Sequence, residues 1–340
     1  MKILVCGGNG FIGSHTCVEL LAAGNEVVIV DNLYNSKIEV VDKIKKISGK
    51  EVVFYEGDVC DEKIMEKIFC EHKIDAAIHF AGYKAVGESV KKPMMYYENN
   101  LISTFVLCKT MAKHGCFNLV FSSSATVYGN PHSVPITEDF PLGPTTNPYG
   151  TTKLMIEQIL NDLHTADSNW NIALLRYFNP IGAHESGLIG ESPNGIPNNL
   201  MPYICQVASK QLDHLNIFGN DYDTIDGTGV RDYIHVVDLA KGHVCAINKL
   251  ANQHVGIDAY NLGTGIGYSV LQIVDAFNSA NQMNLPYVIG PRRDGDIASC
   301  FADTSKAFKE LNWKAEKDIT QMCKDSWNYL SIIMQEYSHF

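Results

Sequence analysis

Short, mostly apolar runs at 3–6, 26–30, 52–55, 76–80, 118–122 and 172–178 punctuate the first half of the chain. Continuous apolar character, rather than strict alternation, is the pattern of strands covered on both faces. Between these runs, 12–23, 37–47, 62–71, 99–114 and 149–164 form helical candidates. The alternation predicts an α/β fold, a doubly wound parallel sheet. After residue 179 the texture changes. Residues 180–235 are rich in Gly, Pro and Asn, and only 259–263 (strand) and 269–281 (helix) read clearly again. We therefore expect a first domain over 1–178, joined by returning segments near 235–265, and a smaller, irregular α+β lobe over 179–340.

Composition narrows the function. The 340 residues are 46% hydrophobic and 19% charged, which excludes a disordered chain, and the net charge of −11 argues against a nucleic-acid partner. Ten cysteines are scattered without C-x-x-C spacing or a nearby histidine pair, so free thiols are expected, with neither a disulfide framework nor a metal site. No apolar stretch approaches the ~20 residues of a membrane span, and the N-terminal run has no h-region or cleavage site. A cytoplasmic enzyme away from membranes is the expectation.

The first strand runs directly into Gly7-Gly-Asn-Gly-Phe-Ile-Gly13. Glycines here allow a tight turn and let a pyrophosphate approach the helix N-terminus, where unpaired N–H groups favour an anion. The loop lies between a strand and a helix, the context that gives such a motif meaning. Strand two ends in Asp31, 18 residues beyond Gly13. A carboxylate there can accept hydrogen bonds from an adenosine ribose and would repel a 2′-phosphate, so NAD is favoured over NADP. Asp58, closing the third strand, could contact the adenine or simply serve a turn.

Tyr149 and Lys153 stand four apart at the start of a predicted helix, about 40° apart around its axis. A neighbouring ammonium favours the phenolate, so the pairing predicts a tyrosine pKa lowered towards neutrality. Such a phenolate can take a proton from a sugar hydroxyl while hydride leaves the same carbon. The preceding strand ends in Phe121-Ser-Ser-Ser124, at the carboxyl edge where ligands of these sheets bind. One of these hydroxyls could hydrogen-bond the reacting oxygen, and the pattern alone does not say which.

Gly7–Gly13, Ser-Ser-Ser-Ala-Thr-Val-Tyr-Gly (122–129), Tyr149 with Lys153, and Arg176-Tyr-Phe-Asn179 together resemble the extended short-chain dehydrogenase/reductases. Phe80-Ala-Gly-Tyr-Lys84-Ala-Val-Gly-Glu-Ser, Gly229-Val-Arg-Asp-Tyr-Ile-His-Val and Arg292-Arg-Asp-Gly-Asp296 look like their nucleotide-sugar 4-epimerase branch. The resemblance spans nearly the whole chain. It implies a Rossmann-type fold and reversible 4-epimerisation of UDP-galactose and UDP-glucose through a 4-keto intermediate, with tightly held NAD. By the same resemblance, Tyr149, Lys153 and Ser124 are catalytic. Gly7, Gly10, Phe11, Ile12, Gly13, Asp31, Asn32, Asn35, Ser36, Asp58, Val59, Phe80, Ala81, Gly82, Lys84, Asn99, Ser122, Tyr177 and Phe178 would hold the NAD with Tyr149 and Lys153. The UDP-sugar would meet Lys84, Ser124, Tyr149, Asn179, Asn199, Leu200, Asn216, Ile217, Phe218, Arg231, Arg293, Asp296 and Cys300. For the arginines the physical sense is clear, since their planar forks suit a diphosphate.

Related dehydratases carry an Asp-Glu pair where this chain has Ala125 and Thr126, so elimination chemistry is disfavoured. A UDP-hexuronate 4-epimerase and a non-catalytic NAD-binding sensor are the alternatives. Cys300 stands where some relatives have tyrosine beside the sugar C2 substituent, which predicts room for UDP-N-acetylglucosamine and UDP-N-acetylgalactosamine. Helices 99–114 and 149–164 carry apolar residues on more than one face. With the family's habit, this suggests a homodimer through a four-helix bundle.

Overall fold

The computed structural model describes residues 1–193, 197, 199–293 and 295–337. Its first half alternates as the sequence predicts: β1 (Lys2–Cys6), α1 (Phe11–Ala22), β2 (Glu26–Asp31), α2 (Glu39–Ser48), β3 (Val53–Glu56), α3 (Glu62–Glu71), β4 (Ala76–His79), α4 (Val86–Lys91), α5 (Pro93–Lys113), β5 (Asn118–Ser124), α6 (Pro148–Ala166) and β6 (Asn171–Tyr177). The second half is built from shorter pieces: β7 (Asn179–Ile181), α7 (Leu200–Ala208), β8 (Leu215–Phe218), β9 (Val230–His235), α8 (Val236–Asn252), β10 (Ile257–Leu262), β11 (Gly267–Ser269), α9 (Val270–Asn281), β12 (Tyr287–Gly290), β13 (Ser299–Cys300), α10 (Ser305–Leu311) and α11 (Ile319–Tyr337).

Seven strands form one parallel sheet in the order β3-β2-β1-β4-β5-β6-β10. The order reverses between β1 and β4, and the carboxyl ends of those strands open the crevice where such sheets bind ligands. Both faces are covered. Ile29, Ile78, Leu175 and Tyr260 belong to one core with Leu21 of α1 and Leu239 and Ile247 of α8. Leu4, Phe121 and Leu174 join Phe69 of α3, Met111 of α5 and Leu160 of α6 in the other. Every residue of β6 is buried, which explains its mostly apolar run.

Helix α5 starts at Pro93, six residues before the expected 99, because proline fits the first turn of a helix, where its missing N–H removes no bond. Helix α6 starts as expected: the Asn147 side chain accepts from the Gly150 N–H at 2.9 Å, and Pro148 occupies the first turn. Residues 180–235, expected to be irregular, hold several short strands. β9 is the centre of a small sheet, parallel to β7 and β13 and antiparallel to β11, while β8 pairs with β12. Helices α7, α9 and α11 close this part around Ile204, Phe277 and Met322. The chain then returns: α8 packs on α1, and β10 adds the last strand beside β6. Among the described residues, no helix is long and apolar enough to cross a membrane.

Candidate active site

The glycine loop forms a cradle at the end of β1. Gly7 has φ +79, and a Cβ on it would lie 2.9 Å from the Ala81 amide nitrogen; one on Gly13 would lie 2.3 Å from the Gly7 carbonyl oxygen. No side chain caps α1 and no acid stands in its first turn, so its N–H groups remain available to an anion. Asp31 closes β2 beside this loop. Its Oδ2 accepts from the Asn9 N–H at 3.0 Å, and its Oδ1 accepts from the Leu33 N–H at 2.9 Å and the Ser36 hydroxyl at 2.8 Å. These bonds occupy three of about four acceptor sites of a carboxylate. The predicted ribose ligand is therefore also the post that ties the glycine loop to 32–36. Asn32 donates to Asp58 at 3.0 Å, linking the ends of β2 and β3. Phe80, Ala81, Gly82 and Lys84 follow β4, with Asn99 on α5 near them. A dinucleotide fits this cradle, with phosphate at α1 and adenosine towards Asp31. The Val59 side chain lies in the core, which leaves its backbone to face the cradle.

The geometry distributes the three serines. Ser122 opposes the burial that raises the Tyr177 pKa, and the Tyr177 hydroxyl pairs with His243 of α8. Ser123 turns the other way and donates to Glu157 of α6. Ser124 accepts from the Thr126 N–H at 3.2 Å and the Thr126 hydroxyl at 3.0 Å, and it is the serine near enough to Tyr149 to draw the phenol pKa down. Ser124 is thus the serine aimed at the tyrosine.

Lys153 is buried, and its Nζ donates to the Ser122 carbonyl at 2.6 Å. It stands 4.8 Å from the Phe121 ring centroid and 5.9 Å from that of Tyr149. The expected lowering of the Tyr149 pKa is not met in the ligand-free chain. Burial pushes Tyr149 above its ordinary value, and the Ser124 hydrogen bond draws it only partly back. Burial also draws Lys153 down to about 7, with Glu157 opposing, so the ammonium is only partly formed near neutrality.

Behind this pair lies a network that motif reading passed over. Glu157 accepts from Arg176 Nε at 3.0 Å and Nη2 at 2.7 Å, with both side chains almost fully buried. Arg176 Nη1 donates to the Tyr128 hydroxyl at 2.9 Å and the Glu138 carbonyl at 3.0 Å, and Tyr128 donates to Asn261 of β10 at 2.7 Å. The signal was present in the sequence: Glu157 is an acid one turn after Lys153, flanked by the buried Ile156 and Leu160.

The expected sugar-nucleotide residues gather across the cleft. Asn179 begins β7 and Asn199 precedes α7; both are exposed. Glu191 pairs with Lys84 at 3.1 Å and accepts from Asn199 at 3.3 Å, joining the two sides. On β8, Asn216 and Phe218 point outward while Leu215 and Ile217 enter the core, so Ile217 can contribute only its backbone. The Arg293 guanidinium lies 4.8 Å from the Phe218 ring centroid and pairs with Asp296 at 2.9 Å. Asp294, within the same motif, lies outside the described residues. Arg231 on β9 is registered opposite Cys300 on β13, and Cys300 packs beside Tyr128 and Phe178.

A phosphate cradle at the sheet's switch point, with Ser124, Tyr149 and Lys153 at its carboxyl edge, defines an NAD-binding enzyme of the extended short-chain dehydrogenase/reductase class. Known proteins agree. The family described as GDP-mannose 4,6 dehydratase matches residues 4–326. A UDP-glucose 4-epimerase of Bacillus subtilis is 61% identical over 337 residues, 99% of either chain. The solved UDP-glucose 4-epimerase of Bifidobacterium longum, in complex with NAD+ and UDP, superposes with a TM-score of 0.95 at 57% identity over 98% of each chain. That of Stenotrophomonas maltophila, with NAD and formylated UDP-arabinopyranose, gives 0.97 at 50% identity over 99% of each. The chain belongs to the UDP-glucose 4-epimerase family, isomerases that use NAD.

Proposed function

We propose that this chain interconverts UDP-galactose and UDP-glucose, with the 4-hydroxyl proton handled by Tyr149 and Ser124. The observation that carries the reading is Tyr149 at the head of α6 beside Lys153, with Ser124 near enough to draw the phenol pKa down; Phe218, Arg231 and Arg293 are the residues expected to meet the UDP. Tyr149 takes the proton from the sugar 4-hydroxyl, and Ser124 holds the oxygen as the charge moves. The glycine loop, Asp31 and Lys153 would hold NAD, whose nicotinamide would supply a reversible acceptor for the C4 hydride and a positive charge favouring the Tyr149 phenolate. Lys153 orients the nicotinamide ribose and adds to that field. The arginines hold the diphosphate while the 4-keto sugar turns to offer its other face. Ala125 and Thr126 follow Ser124 in a tight turn and carry no acid able to expel the C6 hydroxyl, which separates this chain from dehydratases. Purified protein given UDP-galactose without added NAD should form UDP-glucose; no conversion even with NAD supplied defeats the reading.

Two finer points belong to the same proposal. Cys300, opposite Arg231 in the β9–β13 register, is a small side chain, which supports room for an N-acetyl group on the sugar. UDP-N-acetylglucosamine and UDP-N-acetylgalactosamine should therefore also be epimerised. Cys300→Tyr should suppress the acetylated pair alone; equal loss on both pairs sinks the idea. Met94, Ile102 and Phe105 of α5 and Met155 of α6 are exposed by 64%, 43%, 40% and 43%, an apolar face suited to a second copy of the chain. Phe105→Glu should shift the protein to a monomer in sedimentation velocity.

A further inference from the structure

Groups from four elements surround Lys153. On α6, Tyr149 lies one turn before it and Glu157 one turn after. β5 contributes the Ser122 carbonyl and the Phe121 ring, β4 contributes His79, and β6 stands behind them with Arg176, bound to Glu157, and Tyr177, beside Ser122. His79 is fully buried, which holds it neutral, and Tyr177 is tied to His243. Arg176 is answered by its two bonds to Glu157 and lies across on the neighbouring strand. Among the described residues, Glu157, one helical turn along α6, is the carboxylate whose charge acts on Lys153.

A buried Arg–Glu pair is weak evidence for stability, because apolar residues of similar volume often serve as well. This one is placed for something else. Ser123 and Arg176 are directly opposed in the β5–β6 register, and both bind the same Glu157 oxygen. Tyr128 and the Glu138 carbonyl fix the far side of the guanidinium. The carboxylate is thereby immobilised on the Lys153 face of α6. We propose that Glu157 is a positioning residue for the reaction: its clamped carboxylate sets a fixed negative charge one helical turn from Lys153 and favours the ammonium that donates to the Ser122 carbonyl.

This inference rests on the epimerase reading, and one experiment separates the two. The pH dependence of kcat for UDP-galactose is measured on the purified holoenzyme and on Glu157→Gln. Removing an opposite charge at this range should move the alkaline limb down by about one pH unit, with KM within about twofold, because substrate binding is untouched. Glutamine leaves Arg176 buried without a counter-charge, so a Glu157→Leu/Arg176→Met double variant is measured as well. It should recover melting temperature yet keep the displaced limb. A purely structural pair would instead return the limb to its wild-type position. If Glu157→Gln does not fold, the double variant decides; if neither folds, Glu157→Asp, which retracts the charge, should show a smaller displacement in the same direction. An unmoved limb in the deciding variant overturns the proposal. Wild-type protein that converts no UDP-galactose overturns the epimerase reading instead.

Discussion

Replacing Gly13 by alanine tests the cofactor cradle where tolerance is smallest. The new Cβ would lie 2.3 Å from the Gly7 carbonyl oxygen and 2.9 Å from the Gly8 Cα, backbone atoms that cannot swing aside. Ordinary contact begins at 3.4 Å, so loop and helix must part by 1.1 Å (3.4 − 2.3). Overpacking of this kind costs about 1–3 kcal/mol. Alanine is the better helix former by about 1 kcal/mol, so the fold should survive and the distortion should fall on the phosphate site. At about 1.4 kcal/mol per tenfold, NAD should bind roughly 5- to 150-fold more weakly. The assay is NAD released per chain on heat denaturation, beside far-UV circular dichroism. Gly24→Ala is the control: φ is +86 there, but nothing lies within 4 Å of the new methyl, so NAD content should not change. A folded Gly13→Ala protein with its full complement of NAD refutes the reasoning.

Tyr149→Phe should retain NAD yet lose about 10²–10⁴-fold in kcat, read by UDP-glucose formation; activity near wild type would remove Tyr149 from the proton path. Arg176→Ala strands Glu157 as an unpaired buried charge and should cost about 3–5 kcal/mol in urea unfolding. A loss below 1 kcal/mol would mean that Glu157 is paired otherwise. Burial draws His15 and His79 down to about 3 and His243 to about 4. Below about pH 6.5 the unfolded chain takes up protons that the folded chain refuses, so stability should fall with pH from 6.5 towards 4. Each histidine adds about 1.4 kcal/mol per pH unit to that fall. A flat urea midpoint between pH 7 and 5 would contradict it, and His79→Asn should lessen the slope.

The parallel sheet was legible because its strands are signalled locally: apolar runs such as 172–178 are buried end to end, and turn residues mark their ends. Tyr149, Lys153 and Gly13 were legible because helical spacing and a tight turn are local properties too. The short strands β7, β8 and β13 were not, because two to four residues carry little periodicity and their partners lie far along the chain. Glu157 shows a different limit. Its role depends on Arg176 and Ser123 meeting across a strand pair, which spacing along the chain cannot reveal. The Tyr149 pKa was misjudged because a neighbouring ammonium was weighed and the burial of both groups was not.

The return of the chain after β9 also bears on how the protein is made. β6 ends at Tyr177, but its outer neighbour β10 ends only at Leu262, and α8, which covers α1, is made between them. At about 5–20 residues per second, the intervening 85 residues (262 − 177) take roughly 4–17 s to synthesise. Throughout that interval a nascent chain exposes an unpaired, mostly apolar strand edge and the bare flank of α1. The ribosome thus holds an unfinished sheet, which reaches its native form only after the chain has been made as far as Leu262.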